Sequence, residues 1–133
     1  MNTTIKSDAV VDLSATAGSV WSMKAPFAGY VDLESAFLRF EEAVASGGFS
    51  STASVVSIEV GGSEVATWTT GVGATAVAIG DTKTFTLDSS VDANVGSVKV
   101  AAGDLIDFKL KTLGTGGTLT GTARLHINCD FNY

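Results

Sequence analysis

Val77-Ala-Ile-Gly-Asp-Thr-Lys-Thr-Phe-Thr-Leu87 recurs in outline as Val100-Ala-Ala-Gly-Asp-Leu-Ile-Asp-Phe-Lys-Leu110. In each copy a short apolar segment meets Gly-Asp and continues with apolar residues at every second position. That is the pattern of a tight turn feeding a half-buried β-strand. Period-two alternation sends successive side chains to opposite faces, so Ile106, Phe108 and Leu110 share a core face while Asp107, Lys109 and Lys111 face water. The earlier copy places Phe85 and Leu87 inward.

The same alternation extends outward from this pair. Ser19 to Lys24 sets Trp21 and Met23 against Val20, Ser22 and Lys24, and Tyr30 to Glu34 sets Val31 and Leu33 against Asp32 and Glu34. The only proline, Pro26, cannot donate to a central ladder and marks the boundary between those two strands. From Ala53, the run Val56, Ile58, Val60 reaches Gly61-Gly62 and returns as Glu64 to Thr70, a hairpin with a primed turn. A weaker strand is expected around Thr75 to Ile79, bracketed by Gly71, Gly73 and Gly80. After a polar connector over 88–96, Val98 and Val100 start another strand, and Gly114 to Gly117 is a flexible turn. The last strand alternates Ala123, Leu125, Ile127, Cys129 and Phe131 against Arg124, His126, Asn128 and Asp130.

Two segments carry competing readings. Residues 35–45 fit a long strand ending near Phe40, followed by an acidic loop through Gly48, or a short helix through Phe37, Phe40, Glu41 and Val44. Residues 1–18 form either a loosely held terminus or edge strand, or an arm that docks on a neighbouring subunit; residues 19–133 form a single domain. The sum is an all-β chain with about eight or nine strands, one-sided as in antiparallel sheets with one wet face. An antiparallel β-sandwich of jelly-roll type is its natural closure. An immunoglobulin-like sandwich is the runner-up, and the absence of its usual cysteine pair weighs only slightly against it.

A chain of 133 residues makes one domain that buries about 68–70% of its unfolded surface. The net charge of −6 and scattered basic residues argue against nucleic acid. Neither a signal peptide nor an apolar run of membrane-spanning length stands out, which predicts synthesis in the cytoplasm and no membrane partner.

Chemistry-bearing residues are sparse. The single cysteine and the single histidine are too few for a zinc site within one chain, and no metal or other cofactor is expected. His126 and Cys129 fall on opposite faces of one strand, so they cannot pair; His126 reads as a solvated surface residue and Cys129 as a buried, inert thiol. Asp81 and Asp104, with Asp88 and Asp92, present oxygen ligands of the kind calcium takes, but an aspartate after a turn glycine more simply accepts backbone N–H groups. The glycine-rich stretches lack a phosphate-binding ending. Trp68 is the candidate recognition residue: exposed, it would stack on a sugar or fill a partner's pocket, and buried it is core.

The run Trp21 to Val31, the Ile58-Glu-Val-Gly-Gly62 hairpin, the Gly80-Asp81 turn and the Val100 to Asp104 turn together resemble small β-sandwich proteins of tailed bacteriophages. Over residues 20–130 the pattern is most similar to jelly-roll decoration, or cement, proteins of icosahedral heads. The resemblance implies a non-enzymatic structural protein on the capsid exterior of the virion. It implies a homotrimer that binds the major capsid protein at capsomer junctions, with the N-terminal segment as an anchor. The alternative is a phage fibre or baseplate module, or a carbohydrate-recognition module for host attachment, using Trp68, Tyr30 or Tyr133 to stack on a glycan.

Overall fold

Alternating sequence becomes paired strand along most of the chain. The computed structural model describes residues 2–12, 18–43, 55–69, 77–92, 94–112 and 122–132. These form ten strands: β1 Asn2–Asp12, β2 Gly18–Lys24, β3 Gly29–Phe40, β4 Val55–Val60, β5 Ser63–Thr69, β6 Thr82–Thr84, β7 Thr86–Leu87, β8 Ser97–Val100, β9 Leu105–Thr112 and β10 Thr122–Asn132. The first sheet runs β1-β10-β3, with β3 then pairing β6 and β8; the second runs β2-β9-β4-β5-β7. Every pairing is antiparallel.

The pairings nest. β4 pairs β5, β3 pairs β8, β2 pairs β9 and β1 pairs β10, so the chain is one long hairpin rolled until its successive rungs fall alternately in two facing sheets. That is the jelly-roll form of an antiparallel sandwich. The tip of the hairpin is Gly61-Gly62, whose φ angles of 59° and 84° are the positive pair that a type I′ turn demands and that glycine alone adopts without cost.

The expected inward faces fill the space between the sheets. Ile106, Phe108 and Leu110 of β9 and Ala123, Leu125, Ile127, Cys129 and Phe131 of β10 are all buried, against Val31, Leu33, Leu38 and Phe40 of β3 and Val56 and Ile58 of β4. Trp21 and Met23 pack on this core from the edge.

Differences from the sequence reading lie where the alternation breaks. Residues 35–40 are strand, not helix, but β3 carries an irregularity: its register on β10 jumps from Asn128↔Asp32 to His126↔Phe37, leaving residues 33–36 opposite Ile127 alone. The buried set therefore moves from Val31 and Leu33 to Ala36, Leu38 and Phe40. This change of phase is what made the segment read ambiguously. Asp32 holds the bulge by accepting from the Ser35 hydroxyl at 2.7 Å and the Ser35 N–H at 3.3 Å.

The stretch 82–87 is also two strands rather than one. It leaves the first sheet as β6 and joins the second as β7, with Phe85 at the crossing, edge-on to Phe108 at 6.2 Å. In place of a strand up to Ile79, the described residues have an isolated bridge at Val77 and a turn; residues 75 and 76 lie outside them. Ala53, the acidic loop beyond Ala43, Gly71, Gly73 and the Gly114–Gly117 turn lie outside them too.

Candidate functional site

The two Gly-Asp turns are equivalent in detail. In the first, the Asp81 N–H reaches the Ala78 carbonyl at 3.1 Å and Asp81 Oδ2 accepts from the Ala78 N–H at 2.8 Å; in the second, Asp104 does the same to Ala101 at 3.1 and 3.0 Å. Gly80 and Gly103 both carry φ near 90°, as the third residue of a type II turn requires. Each turn then docks on the end of another strand: Gly80 and Asp81 exchange backbone bonds with Phe40, and Gly103 and Asp104 with Ala25. The carboxylates are thus committed to turn geometry. Asp88 and Asp92 likewise hold the N–H groups of Ser90 and Asn94, each at 2.9 Å. The Ser90 hydrogen bonds, backbone first, keep the Asp88 carboxyl below its usual range. Among the described residues no group of three or more His, Cys, Asp or Glu side chains is arranged to hold a metal.

Trp68 turns inward. Its ring is half-buried and edge-on to Phe40, with centroids 5.8 Å apart, and it adds to core packing. Tyr133 lies outside the described residues.

His126 is not the freely solvated residue that its outward position suggested. Its ring stacks on Phe37 at 4.3 Å and its Nε2 lies 3.3 Å from Asp8 Oδ1, in a strip where Arg124 also meets Glu41 at 3.0 Å. Burial pushes the Cys129 thiol up to about 11, with Asp130 adding to the shift, which makes it a poor nucleophile.

Among the described residues, a concave surface lies on the outer face of the first sheet, beside the β3 bulge. Tyr30, Asp32, Glu34, Val95, Ser97 and Asp130 line an open groove of about 450 Å³. β3 supplies Tyr30, Asp32 and Glu34; β10 supplies Asp130 opposite Tyr30; β8 and the turn before it supply Ser97 and Val95. The bulge and the turn fit closely, because Leu33 and Glu34 both donate to the Gly96 carbonyl and a Cβ at Gly96 would come within 2.7 Å of Glu34. Tyr30 and Val95 are 41% and 57% exposed, an apolar platform beside carboxylates that accept hydrogen bonds. This surface suits a hydroxyl-rich or cationic group and offers no nucleophile with an adjacent base. A second depression, on the outer face of the other sheet, is occupied by charge pairs: Lys109 lies 2.6 Å from Glu59 and Lys111 2.7 Å from Glu64.

In the sequence Tyr30 is one of several aromatics, and nothing local marks the groove it lines. Its lining comes from three strands whose adjacency no local pattern announces. Compared with known proteins, the chain matches no family model, no curated protein and no solved structure.

Proposed function

We propose that the protein is a non-enzymatic structural component of a tailed-phage virion, a decoration protein that binds capsomer junctions on the head exterior and reinforces them. The nested-hairpin jelly roll carries this reading, since two-sheet jelly rolls are a recurrent architecture of viral shell proteins. The turn-and-strand resemblance over residues 20–130 supports it. So does the way the aspartates of the described turns are committed to backbone groups rather than gathered into a reactive cluster. Single contacts with a shell can be weak, and several copies acting together hold by avidity.

Heads prepared without the protein test this. Added protein should co-sediment with them saturably and raise the temperature at which they rupture. Folded protein that neither binds nor stabilises heads would sink the proposal.

The exposed Tyr30 platform favours one second reading, a glycan-binding module for host attachment. Binding on a glycan array that is lost in Tyr30→Ala, with the fold intact, is its signature.

A further inference from the structure

Sheet edges differ sharply in how they are protected. β6, β7 and β8 are short, and β2 is interrupted by a register shift between Ser19 and Trp21. Short length and bulges are standard ways to blunt an edge against pairing. β1 has neither. It pairs β10 through eleven consecutive residues, Asn2↔Asn132 to Asp12↔Thr122, without a register shift and without proline. Every second residue turns its N–H and C=O away from β10, and among the described strands nothing pairs with that side.

We propose that this edge is where two copies of the chain associate, β1 pairing antiparallel with β1 of the second copy across a two-fold axis through Ser7. Antiparallel partners must match both in hydrogen-bonding direction and in side-chain face, so only registers that pair even with even and odd with odd positions are allowed. Among these, the full-overlap register centres on Ser7. It sets Lys6 opposite Asp8 twice, once on each side of the axis, and Ile5 opposite Ala9. It also covers Val10, which is 57% exposed in the single chain, with Thr4.

The two neighbouring registers are disfavoured by charge. Sliding one way puts Lys6 opposite Lys6, and the other way Asp8 opposite Asp8; like charges directly opposed destabilise a strand pair. Lys6 is the only basic residue of β1 in a chain of net charge −6, so the choice of register rests on it. Asp8 is held for this role on the outer face, half-exposed, by His126 and Arg124 at 3.3 and 3.6 Å. The contact is two-fold and distinct from the three-fold assembly implied by the resemblance. It does not depend on the virion reading, since it concerns the purified chain alone.

Sedimentation equilibrium of wild type, Lys6→Asp, Asp8→Lys and an equimolar mixture of the two variants tests the pairing, with circular dichroism confirming that each is folded. Wild type should dimerise at micromolar concentration. Each variant alone, facing two like-charge pairs, should dimerise roughly ten-fold more weakly or worse. The mixture should recover association, because an edge with acidic side chains at both positions 6 and 8 then meets an edge with basic side chains at both. Should Asp8→Lys fail to fold, Lys6→Asp decides alone. A wild type that stays monomeric or forms only trimers, or a Lys6→Asp variant that dimerises as wild type does, overturns the proposal, as does a folded pair of variants that does not recover.

Discussion

Gly29 shows how one residue can be fixed by space rather than by backbone angle. It starts β3 directly against β10, where an added Cβ would overlap the Asp130 carbonyl oxygen and lie 2.8 Å from Phe131 Cα. Both obstacles are backbone of a central strand and cannot swing aside. Gly29→Ala is therefore expected to lower unfolding free energy by about 3 kcal/mol, the upper range of overpacking costs, as read from urea midpoints. A change under about 0.5 kcal/mol, the level of an ordinary surface substitution, would show that the strands can separate locally. Nothing in the sequence distinguishes this glycine from those in turns. Its neighbours in Ala25-Pro-Phe-Ala28 suggest a bend, and only the pairing with Phe131 reveals the close approach.

At the scale of elements, the repeated Gly-Asp turn is the most informative local signal, and its two copies carry unequal loads. The Asp104 turn launches β9, which lies between β2 and β4, and Gly61 of the hairpin tip donates to the Leu105 carbonyl beside it. The Asp81 turn launches β6, a three-residue edge strand. Asp104→Ala is expected to cost about 1–2 kcal/mol, and Asp81→Ala about half as much. Asp104→Asn, which keeps an acceptor oxygen, should lie closer to wild type. Equal losses from both alanine variants, measured by thermal unfolding, would contradict the difference in load. The turn itself was legible because glycine and aspartate act within four residues. The path of the chain beyond the turn was not legible: Phe85 and Leu87 look like Phe108 and Leu110 in sequence, yet the first pair belongs to a segment that changes sheets. That crossing depends on contact with Phe108 and on pairing with β3 and β5, all distant in sequence.

For the whole molecule, the outer faces carry paired charges whose worth depends on pH. The Glu59 hydrogen bond and charge raise Lys109, and Glu64 does the same to Lys111. A raised folded value means the contribution is fully present below the ordinary lysine pKa of about 10.4 and is lost as pH rises through the folded value. Asp88 has the opposite sign. Its lowered value gives a contribution present above about pH 4 and lost on further acidification. The alkaline effect should be small, since both lysines are solvent-screened. Between about pH 9 and pH 11 the melting temperature should fall less in the Glu59→Gln, Glu64→Gln double variant than in wild type. An identical fall in both proteins would remove these pairs from the account.

Period-two alternation and glycine placement act between residues a few positions apart, and they were enough to determine the all-β class, the core faces of β4, β9 and β10, the primed hairpin at Gly61-Gly62 and the capped turns at Asp81 and Asp104. Beyond the β4–β5 hairpin, tertiary structure alone decided which strands are neighbours. The phase change in β3, the inward turn of Trp68, the stacking of His126 on Phe37 and the groove around Tyr30 all follow from that choice. The physical reason is that strand pairing and sheet packing are contacts between distant parts of the chain. Their geometry is settled by the space left between two facing sheets, which no short stretch of sequence specifies.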